Sequence, residues 1–117
     1  MTTDFFTSPE GRRLAFRKTA APAGGVTFVW LSGFKSDMSG GKAMAVEAWA
    51  KAAGHGTLLF DYSGHGLSDG AFEDGTISAW RADALAAIDT QTDGRLVLVG
   101  SSMGGWMALL AALARPQ

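Results

Sequence analysis

Three short apolar runs alternate along the chain with segments of helical periodicity, and this alternation most limits how the chain can fold. The runs are VTFVWL at Val26–Leu31, TLLFD at Thr57–Asp61 and RLVLVG at Arg95–Gly100. Continuous apolar runs of this length are typical of strands covered on both faces, as in a parallel sheet. The sequence therefore predicts an α/β protein with a three-layer α/β/α architecture, a mostly parallel sheet and right-handed crossovers.

The first helix is expected in KAMAVEAWAKAA, which opens at Gly40–Gly41 and meets a natural stop at Gly54. Apolar residues recur along this segment and predict the face that packs on the sheet. They are Met44, Val46, Trp49 and Ala53.

A second helix is predicted to begin after the N-cap Thr76, because apolar residues follow at roughly helical spacing on one face. These residues are Ile77, Trp80, Leu85 and Ile88. The segment Met103–Ala114 is apolar almost all round, which favours a third helix buried against the sheet. Around the turn SPEG, Asp4–Thr7 and Arg12–Lys18 predict an N-terminal hairpin. Four tryptophans are expected in the core, namely Trp30, Trp49, Trp80 and Trp106.

The composition excludes several classes of protein. With 47% hydrophobic and 18% charged residues, the 117-residue chain is expected to fold around a substantial core, as one domain over residues 1–117. The net charge of −1 and the scattered basic residues argue against a nucleic-acid partner or an anionic membrane. No cysteine is present, and no His/Asp/Glu group has metal-ligand spacing, so neither a metal nor another cofactor is expected. Without a signal peptide or a long apolar run, the expected location is cytoplasmic.

The stretch GSSMG satisfies the pattern G-x-S-x-G, with Ser102 at its centre and Gly100 and Gly104 at its ends. A predicted strand leads into the motif and a predicted helix leaves it, which is the context of a nucleophile elbow. The glycines leave room for a sharp turn, and Gly105 is expected to let the helix pack tightly on the sheet. A glycine-rich turn without chemistry is the alternative. A dinucleotide-binding turn is rejected, because it requires G-x-G-x-x-G and a later acidic residue.

Three segments together resemble the α/β-hydrolase family: LSGFKSDMSGGKA, FDYSGHGLSDG and LVLVGSSMGGWMALLAALARP. They are most similar to the group that contains acyl-protein thioesterase and acyl-glucuronide esterase. The resemblance covers nearly the whole chain but only the N-terminal half of the family's pattern. It implies that a small acyl ester or thioester is the substrate.

The resemblance implies that Ser102 is the nucleophile, with the backbone N–H groups of Phe34 and Met103 as the oxyanion hole. If the strand at Val26–Leu31 lies between the other two, the sheet changes winding direction where these segments meet, and ligands bind at such points. The family's loops around the pocket would include Gly33, Lys35 and His65. A backbone donor at this position also explains a glycine before it, because the chain must approach the substrate closely.

The general base is the open question. In this family the order is Ser, then Asp or Glu, then His, whereas His55 and His65 both precede Ser102, and residues 103–117 contain neither acid nor histidine. His65 is therefore expected to shape a loop, His55 to lie at the opposite end of the sheet, and Asp61 to cap the turn after its strand.

Three hypotheses remain open for the whole chain. It is the N-terminal portion of a serine hydrolase whose triad acid and base lie elsewhere. It is a short non-catalytic module that forms a homodimer through the strand at Arg95–Gly100, which the missing neighbour would leave as an exposed edge. Or it is an acyltransferase or haloperoxidase-type enzyme on the same fold.

Overall fold

A computed structural model describes residues 3–22, 25–33, 37–68, 70, 75–92, 95–100 and 103–115. It contains five strands: β1 (Asp4–Thr7), β2 (Arg13–Thr19), β3 (Val26–Leu31), β4 (Gly56–Phe60) and β5 (Arg95–Gly100). It contains three helices: α1 (Gly41–Ala52), α2 (Ile77–Gln91) and α3 (Met103–Ala114). The predicted elements are all present, and β4 begins and ends one residue earlier than expected.

The strands form one sheet in the order β1-β2-β4-β3-β5. β3 pairs in parallel with β4 on one side and with β5 on the other, while β1–β2 and β2–β4 pair antiparallel. The sheet is therefore mixed, because the hairpin adds antiparallel strands to the parallel core. The central place of β3 confirms the expected change of winding direction between β3 and β5.

The helices cover both faces of the sheet, which confirms the three-layer architecture. Alternate residues of the central strands point to opposite faces. On one face Leu31 and Leu58 belong to the larger core cluster, which includes buried residues of α2 and α3. On the other face Trp30 and Leu59 pack with Ala43 of α1.

The predicted packing face of α1 is wrong. Its buried residues are Ala43, Glu47 and Ala50, whereas Met44 and Trp49 are exposed. The two alanines allow the helix to lie close to the sheet, and Glu47 is buried because Arg17 of β2 pairs with it. The large apolar side chains of α1 are thus turned away from the sheet.

The expectation for the tryptophans is half right. Trp30 and Trp80 are buried, but Trp49 is 55% exposed and Trp106 is 53% exposed. On α3 the exposed apolar residues also include Leu109 and Leu113, so only one side of this helix packs on the sheet. Its all-round apolar character indicates burial, but the described chain covers just part of its surface.

The predicted helix ends are confirmed. The Thr76 side chain accepts a hydrogen bond of 3.0 Å from the Ala79 amide at the start of α2. Gly54 follows α1 with a φ of +82°, a conformation that glycine adopts without strain.

Candidate functional site

The start of α3 lies directly against the carboxyl end of β3. A Cβ on Gly104 would overlap the Leu31 carbonyl oxygen and would stand 2.8 Å from the Ser32 carbonyl oxygen. A Cβ on Gly100 would overlap the Gly104 carbonyl group and stand 2.6 Å from the Gly105 nitrogen. Both positions therefore have room only for glycine.

Gly105 does not have the packing role expected for it. A Cβ there would meet only the Gly100 carbonyl oxygen, at an ordinary 3.9 Å, and the residue is exposed. The close helix-to-strand contact is made at Gly104 instead, because that residue faces the end of β3.

The helix start has the electrostatics of an anion site. The first N–H groups of an α-helix have no partner within the helix, and its N-terminus carries a partial positive charge. Met103 begins α3 and is buried, and Gly33 is buried just beyond the end of β3. These two predicted site residues therefore follow neighbouring parallel strands at the same edge of the sheet. Ser102, Phe34 and Lys35 lie outside the described residues.

Asp61 ties together two loops at this edge. Its carboxylate accepts a hydrogen bond from the Met38 amide at 2.9 Å and one from the Leu67 amide at 3.0 Å. The first bond fixes the connection between β3 and α1, and the second caps the turn after β4, as the sequence predicted. Burial raises the pKa of Asp61 above its ordinary value, and these two amide donors partly oppose that rise.

The loop after β4 passes close to this carboxylate. Gly66 has a φ of +49°, and a Cβ there would stand 2.5 Å from the Asp61 carboxyl carbon. The Asp37 carboxylate, on the other loop, accepts a hydrogen bond from the Ser39 amide at 2.9 Å. Asp37 thus organises the turn that leads into α1.

His65 is packed within the same loop. It is buried, and its Nδ1 lies 3.1 Å from the Ser63 carbonyl oxygen, which can only accept, so Nδ1 carries the proton. Its ring stands edge-on to Trp80 at 5.2 Å and to Tyr62 at 5.6 Å. This is the environment of a residue that shapes a loop. Its contact with a substrate stays a prediction.

Asp83 of α2 supports this loop from below. It is fully buried and accepts hydrogen bonds from the Ser63 amide at 2.8 Å, the Ser63 hydroxyl at 2.7 Å and Arg12 Nε at 2.9 Å. Burial, and then the nearby Asp83 charge, raises the pKa of Tyr62.

His55 lies in the turn between α1 and β4, far along the strands from the edge just described. Its ring contacts Phe28 at 5.0 Å and the exposed Trp49 at 5.6 Å. The expected position at the opposite end of the sheet is confirmed.

The sequence analysis missed the buried charges that hold these loops. Asp83 and Glu47 each occupy a packed helix face. Their distinguishing feature is a carboxylate among small apolar residues at helical spacing, such as Glu47 between Ala43 and Ala50. Such a position needs a buried partner.

A groove of about 890 Å³ lies beside β5, away from the carboxyl edge. Its lining is mostly apolar and comes from α2, β5 and α3, including Ile88, Leu98 and Ala111. Within the described ranges no three His, Asp or Glu side chains converge as metal ligands. No helix among those residues is long and apolar enough to cross a bilayer.

Comparison with known proteins gives consistent results. A sequence profile of the Alpha/beta hydrolase family matches residues 9–116. The human mitochondrial palmitoyl-protein thioesterase ABHD10 is 45% identical over 113 residues, which are 97% of this chain and 36% of the human protein. The chain therefore spans little more than a third of the length of the curated relatives it matches.

Two solved structures match almost the whole chain. Alpha/beta hydrolase domain-containing protein 10 from mouse has a TM-score of 0.93 at 39% identity, over 100% of this chain and 46% of the mouse chain. A hydrolase from Agrobacterium vitis S4 has a TM-score of 0.92 at 43% identity, over 97% of this chain and 45% of the other. The predicted fold and family are confirmed.

The predicted cytoplasmic location is wrong by this comparison. The five mammalian thioesterases among the relatives are all named as mitochondrial proteins. The expectation rested only on the absence of a recognisable leader.

Proposed function

The chain belongs to the alpha/beta hydrolase family, and from that premise we propose that it provides the nucleophile and oxyanion hole of an acyl ester or thioester hydrolase. Ser102 is the proposed nucleophile. Thioesters of long-chain acyl groups are the first substrates to test, because five relatives are named palmitoyl-protein thioesterases.

In the proposed reaction the Ser102 Oγ attacks the acyl carbonyl carbon while a general base takes its proton. The N–H groups of Met103 and Phe34 donate to the oxyanion of the tetrahedral intermediate. The intermediate collapses to an acyl-enzyme, and the leaving thiol or alcohol takes the proton from the base. Water then attacks the acyl-enzyme by the same route and releases the acid.

The general base and its orienting acid are proposed to come from sequence outside residues 1–117. Both histidines precede Ser102, and the family's order places the acid and the base after the nucleophile. His65 also has its Nδ1 engaged by a backbone carbonyl, so it lacks the carboxylate orientation of a triad base at that atom.

The observation that carries the proposal is the contact of Gly104 with the end of β3. It brings the start of α3 to the point where the sheet reverses its winding direction, and backbone N–H groups there suit a developing oxyanion. The G-x-S-x-G motif spans the same connection from β5 to α3.

The test uses the product of the complete reading frame that contains residues 1–117. We expect hydrolysis of acyl thioesters and covalent labelling by a fluorophosphonate, both lost by roughly four orders of magnitude in Ser102→Ala. Ser101→Ala is the matched control, because it removes the neighbouring hydroxyl, and it should retain both. Full labelling of Ser102→Ala, or equal loss in the two variants, would refute the assignment.

A second candidate is self-association through β5. This strand pairs with β3 alone among the described strands, and Val97 is 40% exposed on it. An exposed apolar edge of this kind is a template for pairing with another chain. Sedimentation of the 117-residue chain over a concentration series tests this candidate, and a monomer throughout the micromolar range would exclude it.

A further inference from the structure

Met38 is held more firmly than any loop residue near the candidate site needs for packing alone. Its side chain is 2% exposed and belongs to the core between α1 and the sheet. Its amide donates to the Asp61 carboxylate at 2.9 Å, and its carbonyl accepts from the Arg17 guanidinium at 2.7 Å. Both backbone groups of one residue are thus bound by buried charged side chains.

The Arg17 guanidinium is positioned better for Met38 than for its own counter-ion. Its bonds to the two Glu47 oxygens measure 3.2 and 3.3 Å, whereas the bond to the Met38 carbonyl measures 2.7 Å. Charge-assisted N–H···O bonds are ordinarily about 2.7–2.9 Å long. The bond with the best length is therefore the one to the loop backbone, and Glu47 chiefly neutralises and orients the guanidinium.

Stability does not account for this arrangement. A buried ion pair is often no more stabilising than apolar residues of similar size, because two charges lose their hydration. Here Arg17 and Glu47 occupy a face of α1 and β2 that is otherwise lined by core residues such as Ala15 and Ala43. The pair holds one particular loop position that apolar side chains could not hold.

We propose that Arg17, Glu47 and Asp61 are positioning residues that act through Met38, a group we call the Met38 anchor. The anchor fixes the downstream end of the connection from β3 to α1, while Gly33 continues its upstream end from β3. Resting on the proposed function, this places the anchor four residues after the proposed oxyanion donor Phe34. The other proposed donor, Met103, needs no such device, because Gly104 fixes the start of α3 on β3.

The decisive variant is the double substitution Arg17→Met with Glu47→Leu. It removes the donor to the Met38 carbonyl and leaves no unpaired buried charge, so we expect a free energy of unfolding close to that of the unaltered protein. We expect kcat for thioester hydrolysis to fall by roughly 10- to 100-fold with KM nearly unchanged, because a displaced oxyanion donor acts only on the transition state. Amide exchange in the peptide that covers Met38 should rise.

Asp61→Asn provides a second, independent variant. An amide offers one oxygen where the carboxylate offers two, so either the Met38 or the Leu67 amide loses its acceptor. Asp83→Asn is the control for exchange, since it neutralises another fully buried carboxylate that does not touch Met38. Asp89→Asn is the control for turnover, because it breaks an exposed pair with Arg115 that is remote from the loop.

The outcomes separate this proposal from the proposed function. If the unaltered product of the full reading frame shows no Ser102-dependent turnover, the proposed function fails, and with it the catalytic role of the Met38 anchor. If turnover is present but the double variant keeps its kcat, or loses KM and kcat together with stability, the anchor alone is refuted. Unchanged amide exchange at Met38 in both variants would also overturn it.

Discussion

Replacing Gly104 by alanine should damage the protein at the point where helix and strand meet. A Cβ at this position would overlap the Leu31 carbonyl oxygen and stand 2.7 Å from its carbonyl carbon and 2.8 Å from the Ser32 oxygen. The closest ordinary contacts of carbon with a carbonyl oxygen are about 3.3 Å, so the helix start must shift by about half an ångström or more. Both obstacles are backbone atoms, which cannot turn aside as a side chain could.

The expected cost follows from two opposing effects. Overpacking of a well-packed site costs about 1–3 kcal/mol, and a clash against backbone belongs at the upper end of that range. Alanine in place of glycine within a helix returns at most about 1 kcal/mol. Gly104→Ala should therefore lower the free energy of unfolding by about 2 kcal/mol.

Gly105→Ala is a matched control with the opposite sign. Its Cβ would meet only the Gly100 carbonyl oxygen at 3.9 Å, so the gain in helix propensity remains, about 0.5–1 kcal/mol. Urea denaturation of the two variants should give midpoints that differ by at least about 1 M, given slopes of about 1–3 kcal/mol per M. If both variants were more stable than the unaltered chain, α3 would not rest on the end of β3, and the geometry on which the proposed oxyanion hole depends would be wrong.

Three further predictions concern a charge, a cap and an edge. The raised pKa of Asp61 means that the folded state takes up a proton before the unfolded state does as pH falls toward the unfolded value near about 3.9; its contribution to stability is therefore largest at low pH and is lost as pH rises through the folded pKa, so the free energy of unfolding relative to Asp61→Asn should increase between pH 7 and pH 4, and a flat difference would contradict this. Thr76→Ala removes the cap of α2 and should cost about 1 kcal/mol in denaturation experiments, while Thr76→Ser should cost little; equal losses would mean that the hydroxyl does not cap the helix. Val97→Lys places a charge on the exposed edge of β5 and should reduce any self-association of the 117-residue chain in sedimentation without loss of stability; an oligomer that persists in this variant would involve another surface.

The sheet could be predicted from the sequence because its strands are continuous apolar runs with clear boundaries. β3, β5 and α3 have the predicted bounds, and β4 differs by a single residue at each end. The position of β3 between its parallel neighbours followed from the same pattern. What the pattern did not give is how the strand ends meet the helices, because that depends on distances between backbone atoms, as at Gly104, rather than on hydrophobicity.

The candidate site was predictable to a smaller extent. The motif around Ser102 and the loop containing Gly33 were found as local patterns, and their resemblance to one family placed them together. The face of α1 was predicted wrongly, because Trp49 and Met44 are the most hydrophobic residues of the helix and yet point to solvent. A small residue can be the better choice against a sheet when the helix lies close to it, and hydrophobicity alone does not express that preference.

Glu47 shows where prediction from a single sequence must stop. Its place between Ala43 and Ala50 on the helix could have indicated that the carboxylate is buried, because these positions share one face. A buried carboxylate needs a cation, but its partner Arg17 is 30 residues away on β2, and the spacing between them carries no periodicity. The antiparallel pairing of β2 with β4 and the parallel pairing of β4 with β3 together determine that β2 passes beneath α1. The ion pair, and the hold on Met38 that depends on it, therefore follow from the order of the strands in the sheet, and only after that order is known does Arg17 become distinguishable from the other basic residues of the chain.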